Sequence, residues 1–296
     1  MISLIICARK KEIDPGLAAN IAATIGLPYE VVWIDNSANR YSIFSAYNEG
    51  VARSRYELLV FMHDDVLYHT QDWGQRVLDH FRDERVGAIG VAGTPYLAYT
   101  PGGWWSSGVG YLHLLQSQNR SSEPFLQNYF PEGSLTEEVV ALDGVWFCIR
   151  KKLFDTIRFD EDTFKGFHFY DVDTTLQVHA AGYRLLCIKD VLIHHLSMGQ
   201  LDGKWIHDAV RFHNKWKERL PATVKSYSLK ERCHIEYRVL NELMSKQTEN
   251  GVKKRAVYWS GLRRLLHFPG GLRYIKTPVW SSRLLLQYIG SVVKGK

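Results

Sequence analysis

The apolar run Leu58-Leu59-Val60-Phe61-Met62, which breaks into His63-Asp64-Asp65-Val66, constrains this chain more than any other feature. Five apolar residues with no polar alternation have strand length and fit a central strand buried on both faces. Two adjacent carboxylates at the carboxyl end of such a strand are unfavourable unless something cationic sits there. In open α/β sheets that end of the strand is where ligands bind. A hard divalent cation, held by one or two carboxylates and by substrate phosphates, answers both conditions. The competing explanation is that Asp64 or Asp65 caps the following turn.

Strand and helix patterns alternate around this run. Residues 2–7, 30–34, 57–62 and 86–91 read as strands, and 18–25, 42–52 and 72–81 as helices. The second strand ends in Asp35-Asn36-Ser37. This alternation predicts βαβ units and a mostly parallel central sheet in an α/β fold. Residues 93–135 read as a long irregular excursion rich in Gly, Ser, Trp and Tyr, including Trp104-Trp105. Such excursions are usually functional, and aromatic residues there suit stacking on sugar or lipid, or packing as plain anchors. Order returns with strands over 138–142 and 145–149 separated by Asp143-Gly144. A helix follows from Phe169 to Ala181, stopped by Gly182, and a strand over 183–188. Val191-Leu192-Ile193 then leads into His194-His195, and the text from Lys204 onward reads as helical and basic.

No stretch of about 18 apolar residues predicts a spanning helix. The apolar start, Met1 to Cys7, lacks a basic leader and a small-residue cleavage site, so it reads as a strand. Four widely spaced cysteines fit buried small residues in a reducing compartment, not a disulfide frame or zinc site. The net charge of +6 hides an asymmetry: residues 201–296 carry +13 and residues 1–200 carry −7. From Gly251 onward there are ten basic residues and no acidic one. These lie among Trp259, Leu262, Phe268, Trp280 and Leu284, the ingredients of interfacial helices on anionic lipid. No nucleic-acid fold signature accompanies the charge. There is no G-x-G-x-x-G and no G-x-x-x-x-G-K-[ST], which disfavours dinucleotide dehydrogenases and P-loop kinases.

Seven short segments taken in order resemble the inverting nucleotide-sugar glycosyltransferases of family 2, which have the GT-A fold. Ile5-Ile6-Cys7-Ala8-Arg9 resembles the family's first strand and base-contacting turn. Trp33-Ile34-Asp35-Asn36-Ser37 is similar to V-D-[DN]-x-S, and Ala46-Tyr47-Asn48-Glu49-Gly50 to A-R-N-x-G. His63-Asp64-Asp65 resembles the D-x-D metal motif, and Asp143-Gly144 the acceptor-side D-G. Tyr170-Asp171-Val172-Asp173 resembles E-D-x-D, and Ile193-His194 the late histidine of the metal site. Three departures stand out: Tyr47 for arginine, His63 for the first aspartate, and Tyr170 for glutamate. The resemblance covers roughly residues 2–199.

The resemblance implies a GT-A Rossmann-like catalytic domain over 1–203, with a donor half to about 92 and an acceptor half from about 93. A helical basic extension over 204–296 follows. It implies donor contacts from Ala8, Arg9, Asp35, Asn48 and Asp64, and acceptor-side positions at Asp143, Gly144, Trp146 and Asp173. Asp65 and His194 would hold Mn2+ or Mg2+, although His195 is an equally placed imidazole. Asp171 would be the general base, since inversion needs one carboxylate to take the acceptor's proton. The implied reaction moves a sugar from a nucleotide-diphosphate sugar to a hydroxyl of a growing surface glycan, either free or lipid-linked. The chain reads as cytoplasmic, and its tail has two readings: interfacial helices on an anionic membrane surface, which would set the chain at the inner face of the cytoplasmic membrane, or amphipathic helices packed on the catalytic domain with their basic faces solvated. Two rivals remain. A nucleotidyltransferase would need a triphosphate loop, of which Arg9-Lys10-Lys11 is a faint trace. A non-catalytic glycan-binding relative would explain Tyr47, His63 and Tyr170.

Overall fold

The computed structural model describes residues 1–199 and 201–251. They group into two compact units: 1–96 with 109–199, and 97–108 with the described residues from 201 on.

The first unit opens with β1 (Ile2–Ala8), α1 (Pro15–Thr24), β2 (Tyr29–Asp35), α2 (Ile43–Arg53), β3 (Leu58–Met62), β4 (Val66–Tyr68) and α3 (Trp73–His80). It continues through β5 (Val86–Gly90), β6 (Ala92–Thr94), β7 (Tyr96–Leu97) at the junction, β8 (Tyr111–Gln116) and β9 (Phe125–Asn128). Then come β10 (Thr136–Val139), β11 (Ala141–Leu142), β12 (Trp146–Arg150), α4 (Tyr170–Ala180), β13 (Arg184–Ile188) and β14 (Ile193–His195). Local chemistry sets the helix starts. The Asp14 carboxylate accepts from the Gly16 and Leu17 N–H groups, and the Ser42 hydroxyl from Ser45 N–H.

The main sheet has the order β10-β13-β5-β12-β3-β1-β2. β3 is buried at every residue, as its apolar run requires. β1 pairs in parallel with β2 and β3, and β13 with β5. The expected mostly parallel sheet is in fact mixed, because β12 runs antiparallel between β3 and β5 and β10 antiparallel on β13. No crossover helix leads into β12. The chain reaches it from β11 in the other sheet, so nothing imposes the parallel direction of a βαβ unit.

That second sheet has the order β11-β6-β8-β14-β4, with β9 on the flank of β8. It corrects the reading of 93–135 as irregular. Strands of two to six residues carry little periodic signal, and β6 and β8 take partners far along the chain in β11 and β14. One face of the main sheet (Ile2, Leu4, Ile6, Leu58, Val60, Met62) joins Leu17, Ile21, Trp73 and Val77 in the core. On the opposite face Phe61 meets Tyr47, Phe147, Phe154 and Phe159, with ring centroids 5.0 to 5.8 Å apart. α2 sits tightly there: a Cβ on Gly50 would lie 2.3 Å from Ile5 Cγ2.

The second unit holds α5 (Gly203–Lys215), β15 (Ala222–Thr223) and α6 (Leu229–Glu249), the last started by a Ser228–Glu231 capping box. Buried Glu236 accepts from the Tyr99 and Thr100 N–H groups, at 2.8 Å each. Trp105 stacks on Trp205 at 5.7 Å and donates its indole N–H to Glu242 at 2.6 Å, while Trp104 is buried. The Trp104-Trp105 segment is therefore a packed anchor within its unit. Among the described residues no helix is long and apolar enough to cross a membrane. Trp259, Leu262, Phe268, Trp280 and Leu284, on which the lipid reading depends, lie outside the described residues.

Candidate active site

His63, Asp64 and Asp65 bridge the end of β3 and the start of β4. In the second sheet β14 lies between β4 and β8, so His195 faces Val66 on one side and Gln116 on the other. This register sets His195 beside Asp65. One ligand atom from each of His63, Asp65 and His195 falls within 4.8 Å of the others.

The surrounding hydrogen bonds fix which atoms face inward. Gln116 Nε2 donates to the carbonyls of Ser117 at 2.7 Å and Ser197 at 2.8 Å, which turns its Oε1 toward His195. His195 Nδ1 lies 3.1 Å from that Oε1, an acceptor only, so Nδ1 carries the proton. The Tyr170 hydroxyl donates to the Gly144 carbonyl at 3.1 Å, so it accepts from His63 Nε2 at 3.0 Å. In the neutral rings, His63 Nδ1 and His195 Nε2 then present lone pairs, 3.3 Å apart. Asp65 Oδ1 lies 3.4 Å from His195 Nε2, and Oδ2 accepts from Ser197 Oγ at 2.6 Å. Three lone pairs converge, each ligand held by an outer hydrogen bond. That arrangement repels itself unless a cation or a proton sits at its centre, and outer-shell bonds of this kind typify metal-ligating histidines. Two imidazoles and a carboxylate suit a transition ion such as Mn2+.

Asp171 is the second residue of α4, which follows Phe169 in the left-handed region at φ +67°. A non-glycine residue held there stores strain, as functional sites often do. Asp171 Oδ2 accepts from Gly144 N–H at 2.7 Å. A continuous chain of contacts thus runs from Asp65 through His195, His63, Tyr170 and Gly144 to Asp171. A Cβ on Gly144 would lie 2.1 Å from the Tyr170 hydroxyl. Gly144→Ala is therefore expected to displace Tyr170 from His63 and to lower stability by about 1–3 kcal/mol, the usual scale of overpacking. Urea unfolding checks this, and an unchanged midpoint would mean that Tyr170 moves freely.

Electrostatics separate the acids. Burial, then the charge of Asp143, pushes Asp171 up to about 7, against hydrogen bonds from the Val172 and Gly144 amides. Burial acts on Asp65 in the same sense, but a proton held at the centre by His195 and the hydrogen bond from Ser197 outweigh it and hold the carboxyl well below the usual range. Burial and then His195 lower His63 to about 4, keeping it a neutral ligand. Burial and the adjacent Asp65 raise Asp64, opposed by Lys10, 3.9 Å away, and by Arg120.

The other sequence-predicted positions fall as follows. His194 points away from the three-residue group, as strand alternation demands of a neighbour of His195, and pairs with Ser117 Oγ at 2.9 Å. Trp146 is fully buried with its indole N–H on Tyr68 at 2.8 Å, which makes it part of the core. Asp173 is buried and accepts from Gln177 Nε2 at 3.0 Å. The Asn48 amide is engaged by Phe159 and Glu161. Asp35 accepts from Ser37 N–H in an Asx turn, and Asp143 from Val145 N–H. Ala8 is buried at the end of β1 and Arg9 is exposed beside it. Tyr47 is sealed within the aromatic cluster, 5.5 Å from the Tyr170 ring, so it offers no cation to a phosphate.

Residues 4–227 match the sequence profile of a family described as "Glycosyltransferase like family". The chain belongs to that family. Among curated relatives it is similar to streptomycin biosynthesis protein StrF of Streptomyces griseus, 29% identical over 192 residues, 62% of this chain and 64% of the relative. It is also similar to uncharacterized protein y4gI of Sinorhizobium fredii, 26% identical over 154 residues, 49% of this chain and 16% of that one. The chain thus spans less than two thirds of the length of either relative. Among solved structures it is similar to mannosyltransferase PcManGT from Pyrobaculum calidifontis in complex with GDP-Man and Mn2+. That likeness has 13% identity and a TM-score of 0.48, covering 99% of this chain and 86% of that one. It is also similar to GalNAc-T7 with UDP, GalNAc and Mn2+, at 10% identity and a TM-score of 0.48, over 90% of this chain and 58% of that one.

In this glycosyltransferase-like chain, sequence reading counted His63 as a departure from D-x-D, whereas the fold makes it a member of the three-residue group. Gln116 and Ser197, which orient His195 and Asp65, carried no motif. The signal available for His63 was its adjacency to Asp64-Asp65 at the end of a buried strand.

Proposed function

We propose that the chain is a metal-dependent, inverting GT-A glycosyltransferase that moves a hexosyl group from a nucleotide-diphosphate sugar to a hydroxyl of a growing, lipid-linked glycan. The observation that carries the reading is the chain of contacts joining three converging lone pairs to a part-buried carboxylate with a raised proton affinity. His63, Asp65 and His195 would hold Mn2+ or Mg2+. An ion held there would supply Lewis-acid neutralisation of the charge that develops on the departing diphosphate. Asp171 takes the proton from the acceptor hydroxyl, and a raised proton affinity suits a base that works near neutral pH. Gly144 N–H orients the carboxylate, and Tyr170 keeps His63 in the tautomer that points Nδ1 inward. Ala8, Arg9 and Asp35, at the carboxyl ends of β1 and β2, lie where the nucleotide would bind. Lys10 and Asp64 border the same edge. In this reading the 1–203 segment is catalytic, and the basic 204–296 segment holds the enzyme at the inner face of the cytoplasmic membrane.

The test is a thermal-shift panel of nucleoside diphosphates with Mn2+, with Mg2+ and with EDTA. A ligand that binds only the folded state raises apparent stability by mass action, by about 2.7 kcal/mol at a hundred times its dissociation constant. The expected result is a shift for one nucleotide that disappears in EDTA. A shift from triphosphates alone would favour the nucleotidyltransferase reading, and no shift from any nucleotide would favour the glycan-binding one. The membrane role predicts co-sedimentation with anionic vesicles at low salt and none with neutral vesicles. Equal behaviour on both would remove it.

A further inference from the structure

Phe167 is 54% exposed in the loop that leads into α4. Its ring centroid lies 6.0 Å from that of His63 and 5.8 Å from that of Tyr170. It packs edge-on against the His168 ring, also at 6.0 Å. The ring thus has three aromatic neighbours while over half of the residue meets solvent. Exposing that much of a phenyl group is unfavourable in the free protein. The neighbours also restrict the ring, so a partner that covers it loses little further side-chain freedom. The place is specific: Phe167 touches the two rings that link the His63 group to Gly144, and it lies four residues before Asp171.

We propose that Phe167 is a stacking surface for the acceptor sugar, which sets the ring so that one hydroxyl faces Asp171. This rests on the glycosyltransferase reading above and adds to it the acceptor's chemical class, a pyranose with an apolar C–H face. Such a face is complementary to the electron-rich face of a phenyl ring. A flexible or purely anionic acceptor would gain nothing from it. The residue selects and orients the acceptor and has no part in holding the nucleotide.

The experiment uses the full chain with UDP or GDP and Mn2+, screened on an array of immobilised glycans. The strongest glycan is then titrated into wild type, Phe167→Ala, Phe167→Leu and Phe167→Trp. We expect glycan affinity to fall at least about tenfold in the alanine and leucine variants, and to stay within about threefold in the tryptophan variant. Nucleoside diphosphate affinity and melting temperature should be unchanged in all three, because the side chain is mostly exposed. Undiminished glycan binding by Phe167→Ala would overturn the proposal. So would a leucine variant equal to wild type, since a mere apolar contact would then suffice, or a loss of nucleotide affinity. Nucleotide binding without any glycan bound by wild type would overturn the stacking surface and leave the donor reading standing. Failure to bind either would overturn both.

Discussion

Replacing His195 with alanine is expected to abolish Mn2+-dependent binding of nucleoside diphosphate, a fall of at least about 10²-fold in affinity. His194→Ala is expected to leave that affinity within about twofold. The two histidines are adjacent in sequence, but only His195 shares the inward group with His63 and Asp65, while His194 faces Ser117. Losing an outer-shell partner of a metal ligand typically lowers affinity or activity 10–100-fold, and losing the ligand itself should exceed that. Gln116→Ala, which frees His195 Nδ1, should fall in the intermediate range. Calorimetric titration with and without Mn2+ separates the metal's contribution from the protein's own contacts, and melting curves check that each variant is folded. If His194→Ala loses as much as His195→Ala, the ion is held elsewhere and the lone-pair argument fails.

Asp171→Asn is expected to lower sugar transfer at least about 10²-fold, the scale of lost general-base catalysis, with nucleoside diphosphate affinity close to wild type. In wild type, transfer should fall about tenfold per unit as pH drops below about 7, where burial and the Asp143 charge place the Asp171 proton. The stability signature has the opposite sense. The folded-state value is raised above the unfolded value, so the neutral carboxyl favours folding at acid pH. That contribution fades as pH rises from the unfolded value towards about 7. Asp171→Asn should therefore gain melting temperature at pH 8 relative to wild type and gain nothing at pH 4. A variant that transfers normally would move the base to another carboxylate. One that loses nucleotide affinity would put Asp171 in the donor site.

Much of the chain's architecture was legible from local pattern. Ser42 caps α2, and the buried run 58–62 became a strand with no exposed residue. Such signals are carried by neighbours in sequence, where periodicity and capping act directly on the backbone. The segment 93–135 was not legible, because its strands are short and β6 and β8 also pair with β11 and β14, which lie far along the chain. Trp146 illustrates the same limit. Its place after Asp143-Gly144 pointed to the acceptor, but pairing of β12 with β3 drives its ring into the core.

The sequence by itself determined an α/β fold, acids gathered at the carboxyl end of a buried strand, and a carboxylate in the first turn of α4. Each is a property of a few consecutive residues. Only the tertiary structure decided that the sheet is mixed, that His195 and not His194 stands beside Asp65, and that His63 joins them. Those outcomes depend on register in a second sheet. Successive side chains on a strand point to opposite faces, so a change of one residue in register would exchange the two histidines.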